Sequence, residues 1–187
     1  MIRRIAVVSL GIAAVGLTLG GAQAALTVGA SAPEFTTQAA MGGNEFTFTL
    51  SDALKKGPVV LYFFPKAFTK GCTIEAHNFS EATDQFQSMG ATVIGMSNDD
   101  IDTLKKFSVL ECRNKFAVAA DRGGRVMKQY DAVMAGRVDV ADRISYVIAP
   151  DGKVIYAFAS MSPDGHVQNT LDAIQHWKVT ARPKDGQ

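Results

Sequence analysis

An apolar run at residues 59–64 is the feature that most constrains the fold of this chain. Its sequence is Val-Val-Leu-Tyr-Phe-Phe, rich in β-branched and aromatic side chains. Continuous runs of this composition are typical of a central strand that is covered on both faces of a sheet. A second such run occupies residues 91–96, and a helical pattern lies between the two. This alternation predicts an α/β layer fold.

Periodicity and turn residues predict the other elements. Apolar residues at three- and four-residue steps indicate one helix over residues 73–89, which Gly90 ends. The turn Pro150-Asp151-Gly152 predicts a hairpin. The remaining predicted elements are a strand at 46–50, a helix at 52–56 capped by Ser51, a helix from the caps Ser97-Asn98-Asp99 to about residue 113, strands at 116–119, 144–149 and 153–158, a helical turn at 126–130 and a helix at 166–177. This order, with a cysteine after the first central strand, predicts a thioredoxin-like fold with a mixed central β-sheet flanked by helices.

The first 24 residues have the three parts of a secretory signal. Two arginines, Arg3 and Arg4, precede an apolar stretch at residues 5–19, and Ala22-Gln23-Ala24 forms a small-residue cleavage site. We expect residues 1–24 to be removed and the protein to be exported, most simply to a bacterial periplasm. An uncleaved membrane anchor is the alternative, but the apolar stretch is short and contains several glycines.

One domain is predicted for the rest of the chain. We expect the domain to span residues 25–180 and residues 181–187 to form a loose tail. The full chain has a net charge of +1. Removal of the signal takes away two arginines and no acidic residue, which leaves a charge of about −1. A near-neutral protein is not expected to bind nucleic acid or, once the signal is removed, a membrane.

Cys72 is the strongest candidate for a reactive residue. It follows the first apolar run and precedes the helical pattern, and the only other cysteine is Cys112. The first turn of a helix carries unpaired N–H groups and a partial positive charge. A thiol in this position ionises more readily, and the thiolate is the nucleophilic form. Cys72 would also lie at the carboxyl end of a strand, where open α/β sheets place their active groups.

The residues around Cys72 resemble a known active site. The motif Pro65-x-x-x-Thr69-x-x-Cys72 is similar to the signature of the peroxiredoxins, which are thiol peroxidases on a thioredoxin-like fold. The resemblance is strongest to the bacterioferritin comigratory, or PrxQ-type, branch, and it extends over about residues 27–177. Further similar features are Thr73-Ile74-Glu75, Arg143 directly before the predicted strand at 144–149, and the segment 28–35.

This resemblance implies a role for each residue of the motif. Cys72 attacks a hydroperoxide and becomes a sulfenic acid. Arg143 holds the thiolate charge and polarises the peroxide. Thr69 directs its hydroxyl toward the sulfur. Pro65 forms one wall of the pocket, and Gly71 lets the backbone pass close to the substrate. The alternatives are that Thr69 only caps the helix and that Arg143 only forms a structural ion pair.

The resemblance also suggests a resolving cysteine. In one subset of the branch it lies five residues beyond the reactive cysteine, where this chain has His77, interpreted here as a helix-surface residue. Another subset places it on the following helix, where Cys112 is predicted to lie. The implied product is a Cys72–Cys112 disulfide, whose formation requires local unwinding because the two Cα atoms must approach closely. Alternatively, Cys112 is a buried bystander and an external thiol reduces Cys72.

The sequence therefore predicts a peroxidase of hydroperoxides that is reduced by a thioredoxin-like or other thiol donor. We expect no cofactor and no metal, and we expect a monomer. His166 and His176 are too far apart in sequence to suggest a shared site. Two other classes remain open. A thiol–disulfide oxidoreductase is disfavoured because Cys72 is not in a Cys-x-x-Cys motif, and a non-enzymatic thioredoxin-fold module would hold a static Cys72–Cys112 disulfide.

Overall fold

The structure is a computed structural model, and it describes residues 25–181. Over this range the chain forms one mixed sheet with helices on both faces. The strands are β1 (Thr36–Met41), β2 (Asn44–Thr49), β3 (Val59–Phe63), β4 (Thr92–Ser97), β5 (Ala117–Ala120), β6 (Ile144–Ile148) and β7 (Val154–Ala159). The helices are α1 (Leu50–Leu54), α2 (Lys70–Glu81), α3 (Thr83–Ser88), α4 (Ile101–Leu110), α5 (Arg125–Gln129) and α6 (His166–Thr180).

The sheet has the strand order β2-β1-β5-β4-β3-β6-β7. β3, β4 and β5 are parallel to one another, and antiparallel pairs complete the sheet on both sides. All five residues of β3 are buried, because β3 lies between β4 and β6 and is covered on both faces. The predicted α/β fold with a mixed central sheet is confirmed.

Alternate residues of β3 enter two separate hydrophobic clusters. Val59, Leu61 and Phe63 belong to the cluster that packs beneath α1 and α5, whereas Val60 and Tyr62 belong to the other. The second cluster is covered by α2, α4 and α6, and both cysteines are part of it. The fold thus places the two candidate redox residues in the same layer of the core.

The helix predicted over residues 73–89 is wrong in its bounds. α2 begins earlier, at Lys70, and the helix is interrupted at Ala82, so that α3 follows as a separate element. At the interruption, the hydroxyl of Thr83 donates to the carbonyl oxygen of Phe79 at 3.0 Å. Threonine side chains that bond back to the carbonyl four residues earlier compete with the backbone ladder and bend helices. The apolar periodicity runs through the break and therefore conceals it.

Two other helices differ from prediction at their ends. α1 begins at Leu50, with Thr49 in the capping position, so Ser51 lies inside the helix. α4 has Asp100 as its capping residue, whose carboxylate accepts from the Thr103 N–H at 2.7 Å. It ends at Leu110 because left-handed backbone conformations follow soon after it.

β1 is a strand that the sequence did not predict. Its small and polar residues give little strand signal of their own. It pairs with β2 across a turn formed by two glycines with positive φ, Gly42 and Gly43. Its strand state therefore comes from its neighbours in the sheet.

Parts of the sequence predictions lie outside the described residues. These are the signal segment at residues 1–24 and all of the tail beyond residue 181. Across residues 25–181, none of the helices has the length and apolar character needed to cross a membrane.

Candidate active site

The loop that leads to Cys72 is held at the carboxyl ends of two adjacent parallel strands. β3 ends at Phe63 and α2 begins at Lys70, so Cys72 lies in the first turn of the helix. The carboxylate of Asp99, just after β4, accepts from the Ala67 N–H and from the Ser97 hydroxyl, each at 2.8 Å. The neighbouring strand thus fixes the loop that presents the thiol.

Arg143 meets the sulfur of Cys72 from the other side of β3. It immediately precedes β6, the antiparallel neighbour of β3. Its Nη2 donates to Cys72 Sγ at 3.4 Å, and both side chains are buried. Its Nε donates to the Met161 carbonyl oxygen at 3.1 Å, and its Nη1 donates to the Glu75 carboxylate. A planar guanidinium with three fixed acceptors has little freedom to move, so the positive charge is held beside the sulfur.

Gly71 makes room for this guanidinium. A Cβ atom at this position would lie 2.9 Å from Nη2 of Arg143, closer than carbon and nitrogen atoms pack. The expected reason for the glycine was a close approach of the substrate. In the structure, the arginine occupies that space, so the glycine allows the Cys72–Arg143 contact.

Thr69 and Pro65 border the same loop. Thr69 is the capping residue of α2, but its side chain makes no capping hydrogen bond. Its hydroxyl instead donates to the Lys66 carbonyl oxygen at 2.9 Å. The predicted role of this hydroxyl toward the sulfur stays a prediction. Pro65 is half-buried two residues after the end of β3, and its predicted role as a wall of the pocket stays a prediction.

Cys112 lies beyond α4, in the turn that follows the helix. Its N–H donates to the Phe107 carbonyl oxygen at 3.0 Å, and its thiol is free and fully buried. Burial raises the pKa of this thiol, and the neighbouring Glu111 adds to the effect. The next two residues, Arg113 and Asn114, have φ values of 50° and 60°, a left-handed conformation that is strained for arginine and more readily adopted by asparagine. Cys112 is thus protonated and enclosed, but next to strained backbone.

Glu75 and His166 also belong to the site, although neither was assigned a role from the sequence. Both are fully buried. Glu75 Oε2 accepts from Arg143, while Oε1 has no hydrogen-bond partner and lies 3.6 Å from Nδ1 of His166. Burial raises the pKa of Glu75 to about 8, against the opposing effect of Arg143. Burial also lowers the pKa of His166.

The sequence contains a pattern that could have identified Glu75 as a site residue. Glu75 follows Cys72 by three residues, a spacing that places both on one face of a helix. His166 had no such signal, because it approaches the site only when α6 packs on the sheet. Across the described range, no group of three His, Cys, Asp or Glu side chains is arranged to hold a metal ion. The chemistry available here is that of a cysteine sulfur beside a fixed cation.

Comparisons with known proteins identify the family of this chain. A family model described as the AhpC/TSA family matches residues 28–157. The chloroplastic peroxiredoxin Q of Triticum aestivum is 34% identical over 149 residues, which cover 79% of this chain and 66% of that protein. Peroxiredoxin Bcp of Escherichia coli strain K12 is 31% identical over 124 residues, covering 64% of this chain and 76% of that protein. This chain therefore spans just under two thirds of the wheat relative.

Among solved structures, Peroxidoxin BcpB from Mycobacterium tuberculosis is similar over most of the chain. Its TM-score is 0.72 with 29% identity, and the match covers 80% of this chain and 96% of that one. The likeness confirms the predicted thioredoxin-like peroxiredoxin fold. The extent of the family match, together with these relatives, leads to one conclusion: the chain belongs to the AhpC/TSA family and is a peroxiredoxin of the Bcp and Q type.

Proposed function

We propose that this chain is a thiol peroxidase that reduces hydrogen peroxide and organic hydroperoxides through Cys72. The observation that carries the proposal is the buried contact between Arg143 Nη2 and Cys72 Sγ, at 3.4 Å. Arginine stays protonated in proteins, so this contact favours the thiolate. The same cation stabilises the negative charge that develops on the leaving oxygen of the peroxide. The family membership supports the same chemistry.

In the first step, the Cys72 thiolate attacks one oxygen of a hydroperoxide and the O–O bond breaks. The sulfur is oxidised to a sulfenic acid, and the peroxide is reduced to an alkoxide that leaves as an alcohol once protonated. With hydrogen peroxide the leaving group is hydroxide, which becomes water. Because the surroundings are buried and exclude bulk water, the electrostatic interaction of Arg143 with the Cys72 sulfur and with the leaving oxygen of the peroxide is stronger.

In the second step, the Cys112 thiol attacks the sulfenic acid. A disulfide forms and one water molecule is lost. Both thiols are buried in the reduced structure, and Cys112 is not ionised there. The turn after α4 must therefore open first, so that Cys112 can lose its proton and approach the sulfur of Cys72.

A thioredoxin-like dithiol completes the cycle in this proposal. It reduces the disulfide to two thiols and is itself oxidised to a disulfide. The signal-like pattern of residues 1–24 supports export to the periplasm, which requires a donor in that compartment. Identification of the N-terminal residue of the protein purified from its native cell envelope tests this location: Ala25 supports it, and a retained Met1 contradicts it. The predicted monomer is tested by light scattering of the reduced protein.

The chemical proposal is tested by titration with stoichiometric peroxide, followed by intact mass and non-reducing peptide mapping. The wild-type protein is expected to yield a Cys72–Cys112 disulfide. A Cys112→Ser variant is expected to undergo one oxidation and accumulate the sulfenic acid, without turnover under a dithiol donor. A Cys72→Ser variant should not react. Reduction of insulin disulfides without peroxide consumption would instead indicate a thiol–disulfide oxidoreductase.

A further inference from the structure

A pocket of about 420 Å³ lies at the end of the sheet opposite to Cys72. Its wall includes Thr92 and Ala117, the first residues of β4 and β5, whereas Cys72 lies beyond the carboxyl end of the parallel strand β3. α1, α3 and the β1–β2 hairpin contribute the rest of the wall. Pockets of this size hold small organic ligands in many proteins. None of the described residues around Cys72 and Arg143 lines this pocket, so it is a separate site.

The lining of this pocket is mainly apolar and aromatic. Phe48, Phe86 and Phe116 are buried around it, whereas Met41 and Phe46 are each 41% exposed. Apolar side chains that remain in contact with water gain free energy when an apolar ligand covers them. The lining therefore favours a ligand with a hydrocarbon or aromatic body.

The charged side chains of the lining are two lysines, Lys56 and Lys115, and one acid, Asp52. The carboxylate of Asp52 lies 2.7 Å from Nζ of Lys55, which balances its charge. Nζ of Lys115 lies 3.8 Å from the carboxylate of Asp84, and a long, exposed pair of this kind contributes little. The remaining charge of the pocket is positive and complements an anionic group on the ligand.

One wall of the pocket continues directly into the turn that carries Cys112. Lys115 and Phe116 line the pocket, and the Lys115 N–H donates to the Cys112 carbonyl oxygen at 2.9 Å. Cys112 is fully buried, so its thiol meets a reagent only when this turn opens. Such an opening breaks the contact with Lys115 and displaces this wall. A ligand in the pocket therefore binds the closed turn more tightly than the opened one.

We propose that this pocket binds a small amphipathic anion, with an apolar body and a carboxylate head, and that the bound ligand holds the turn of Cys112 closed. The body lies against the aromatic lining, and the head pairs with Lys56 and Lys115. The effect of the ligand on the peroxidase cycle rests on the proposed function, in which the turn opens before the second step. Binding and turn opening can both be measured without peroxide.

The first test is titration calorimetry of the reduced protein with decanoate at neutral pH, below the concentration at which decanoate forms micelles. Decanol, which has the same chain without the charge, should bind more weakly, and decyltrimethylammonium, which reverses the charge, should bind weakest. This comparison requires no substitution in the protein. Failure of decanoate to bind, or equal binding of decyltrimethylammonium, would overturn the proposal.

Three variants test whether decanoate occupies this pocket. Lys56→Met and Lys115→Met should each weaken decanoate binding by about two- to fivefold and leave decanol binding unchanged. Phe46→Ala, at a partly exposed position, should weaken both ligands by about tenfold. Lys153→Met, beside β7 at the other edge of the sheet, is the matched control and should bind decanoate as the wild type does. If none of the three variants weakens decanoate binding, the ligand lies elsewhere and the proposal is wrong.

The second test is the rate at which N-ethylmaleimide modifies Cys112 in a Cys72→Ser background, so that a single thiol reacts. At about ten times the Kd of decanoate, the rate should fall about tenfold, because the ligand stabilises the closed turn. With Phe46→Ala added, the same decanoate concentration should slow the reaction only about twofold. A rate that decanoate leaves unchanged would overturn the claim that the ligand holds the turn closed. If both tests agree with the proposal while the wild type fails to consume peroxide, the proposed function is wrong and the inference stands.

Discussion

The guanidinium of Arg143 donates hydrogen bonds to three acceptors at once, so the positions of these acceptors depend on one another. It donates to the sulfur of Cys72, to the carboxylate of Glu75 and to the carbonyl oxygen of Met161. The guanidinium is planar, so its donors have fixed relative directions. A displacement of one contact therefore displaces the others. Lysine has a single ammonium group and would not hold this geometry.

Gly71→Ala should lower both the peroxide reactivity and the stability of the protein. The new methyl group would lie 2.9 Å from Nη2 of Arg143 and push the guanidinium away from Cys72. The displaced guanidinium also weakens its buried contacts with Glu75 and Met161, and the preference for alanine over glycine in a helix, about 0.5–1 kcal/mol, offsets only part of that loss. We expect a fall in the second-order rate constant of about tenfold or more, comparable to the loss of one aligned catalytic donor. Stopped-flow kinetics measures the rate constant with peroxide, and urea unfolding measures the stability. A wild-type rate constant would contradict the role given to Gly71.

Glu75 should make the stability of the protein depend on pH. Its carboxyl has an ordinary pKa of 4.5, and burial raises it to about 8 in the folded protein. Between these values the folded state binds a proton that the unfolded state releases. The contribution of this proton to the free energy of unfolding is therefore fully present below pH 4.5 and is lost as the pH rises through 8.

The measurement is urea unfolding of the reduced wild type and of Glu75→Gln at several pH values in this window. The stability of the wild type relative to Glu75→Gln should fall with rising pH, by at most about 1.4 kcal/mol per pH unit. Parallel curves for the two proteins would show that Glu75 does not gain a proton on folding.

Single residues differ in how far the sequence reveals them. Cys72 and Arg143 could be predicted because each has a recognisable local context, a strand end and a motif. Glu75 lies within that motif, but its burial depends on packing. His166 could not be predicted, since its contact with Glu75 arises only from the docking of α6 against the sheet.

At the scale of elements, α2 is tied to the turn that carries Cys112. The ring of His77 lies 2.7 Å from the carboxylate of Glu111, and the guanidinium of Arg113 lies 3.1 Å from that of Glu81. His77 is on the helix surface as interpreted, but it bridges two elements. In the proposed cycle, both contacts must break before the turn can open and bring Cys112 to Cys72.

Glu111→Gln should therefore accelerate disulfide formation. A partly exposed pair of this kind contributes about 0.5–1 kcal/mol, which corresponds to roughly two- to fivefold in rate if the contact is absent from the opened state. The substitution also removes the charge that helps to raise the pKa of Cys112. Acid quenching and mass analysis after a peroxide pulse measure the rate. Asp52→Asn, which breaks the remote exposed pair with Lys55, is the matched control and should have no effect.

Two tyrosines on neighbouring central strands should respond in opposite ways to loss of the hydroxyl group. The hydroxyl of Tyr62 on β3 is buried without a hydrogen-bond partner, whereas that of Tyr146 on β6 donates to the Tyr130 carbonyl and accepts from the Leu26 N–H. Tyr62→Phe should leave stability unchanged or raise it by about 1 kcal/mol, and Tyr146→Phe should lower it by about 1–2 kcal/mol. Urea unfolding measures both, and a large loss in Tyr62→Phe would contradict the assignment.

The elements predicted best are those whose signal is local. β3 and β4 are continuous apolar runs, and the β6–β7 hairpin has its Pro-Asp-Gly turn. β1 was missed because its strand state comes from pairing with β2 and β5 and not from its own side chains. The break between α2 and α3 was missed because the apolar periodicity continues through it.

For the whole molecule, the sheet order brings distant segments to one edge. β3 lies between β4 and β6, so the loop after β3, the Asp99 that follows β4 and the Arg143 that precedes β6 meet at the same end. The sequence predicted the type of fold and this end of the sheet. It did not predict the buried network behind the site, since such contacts depend on how the helices pack over the sheet.

The central claim is that Cys72, activated by Arg143, reduces hydroperoxides. The most direct test is the consumption of hydrogen peroxide by the reduced protein under excess dithiol, compared between the wild type and Cys72→Ser. We expect rapid turnover in the wild type and no consumption above the dithiol background in Cys72→Ser. If Cys72→Ser consumes peroxide as fast as the wild type, the account of this site is wrong.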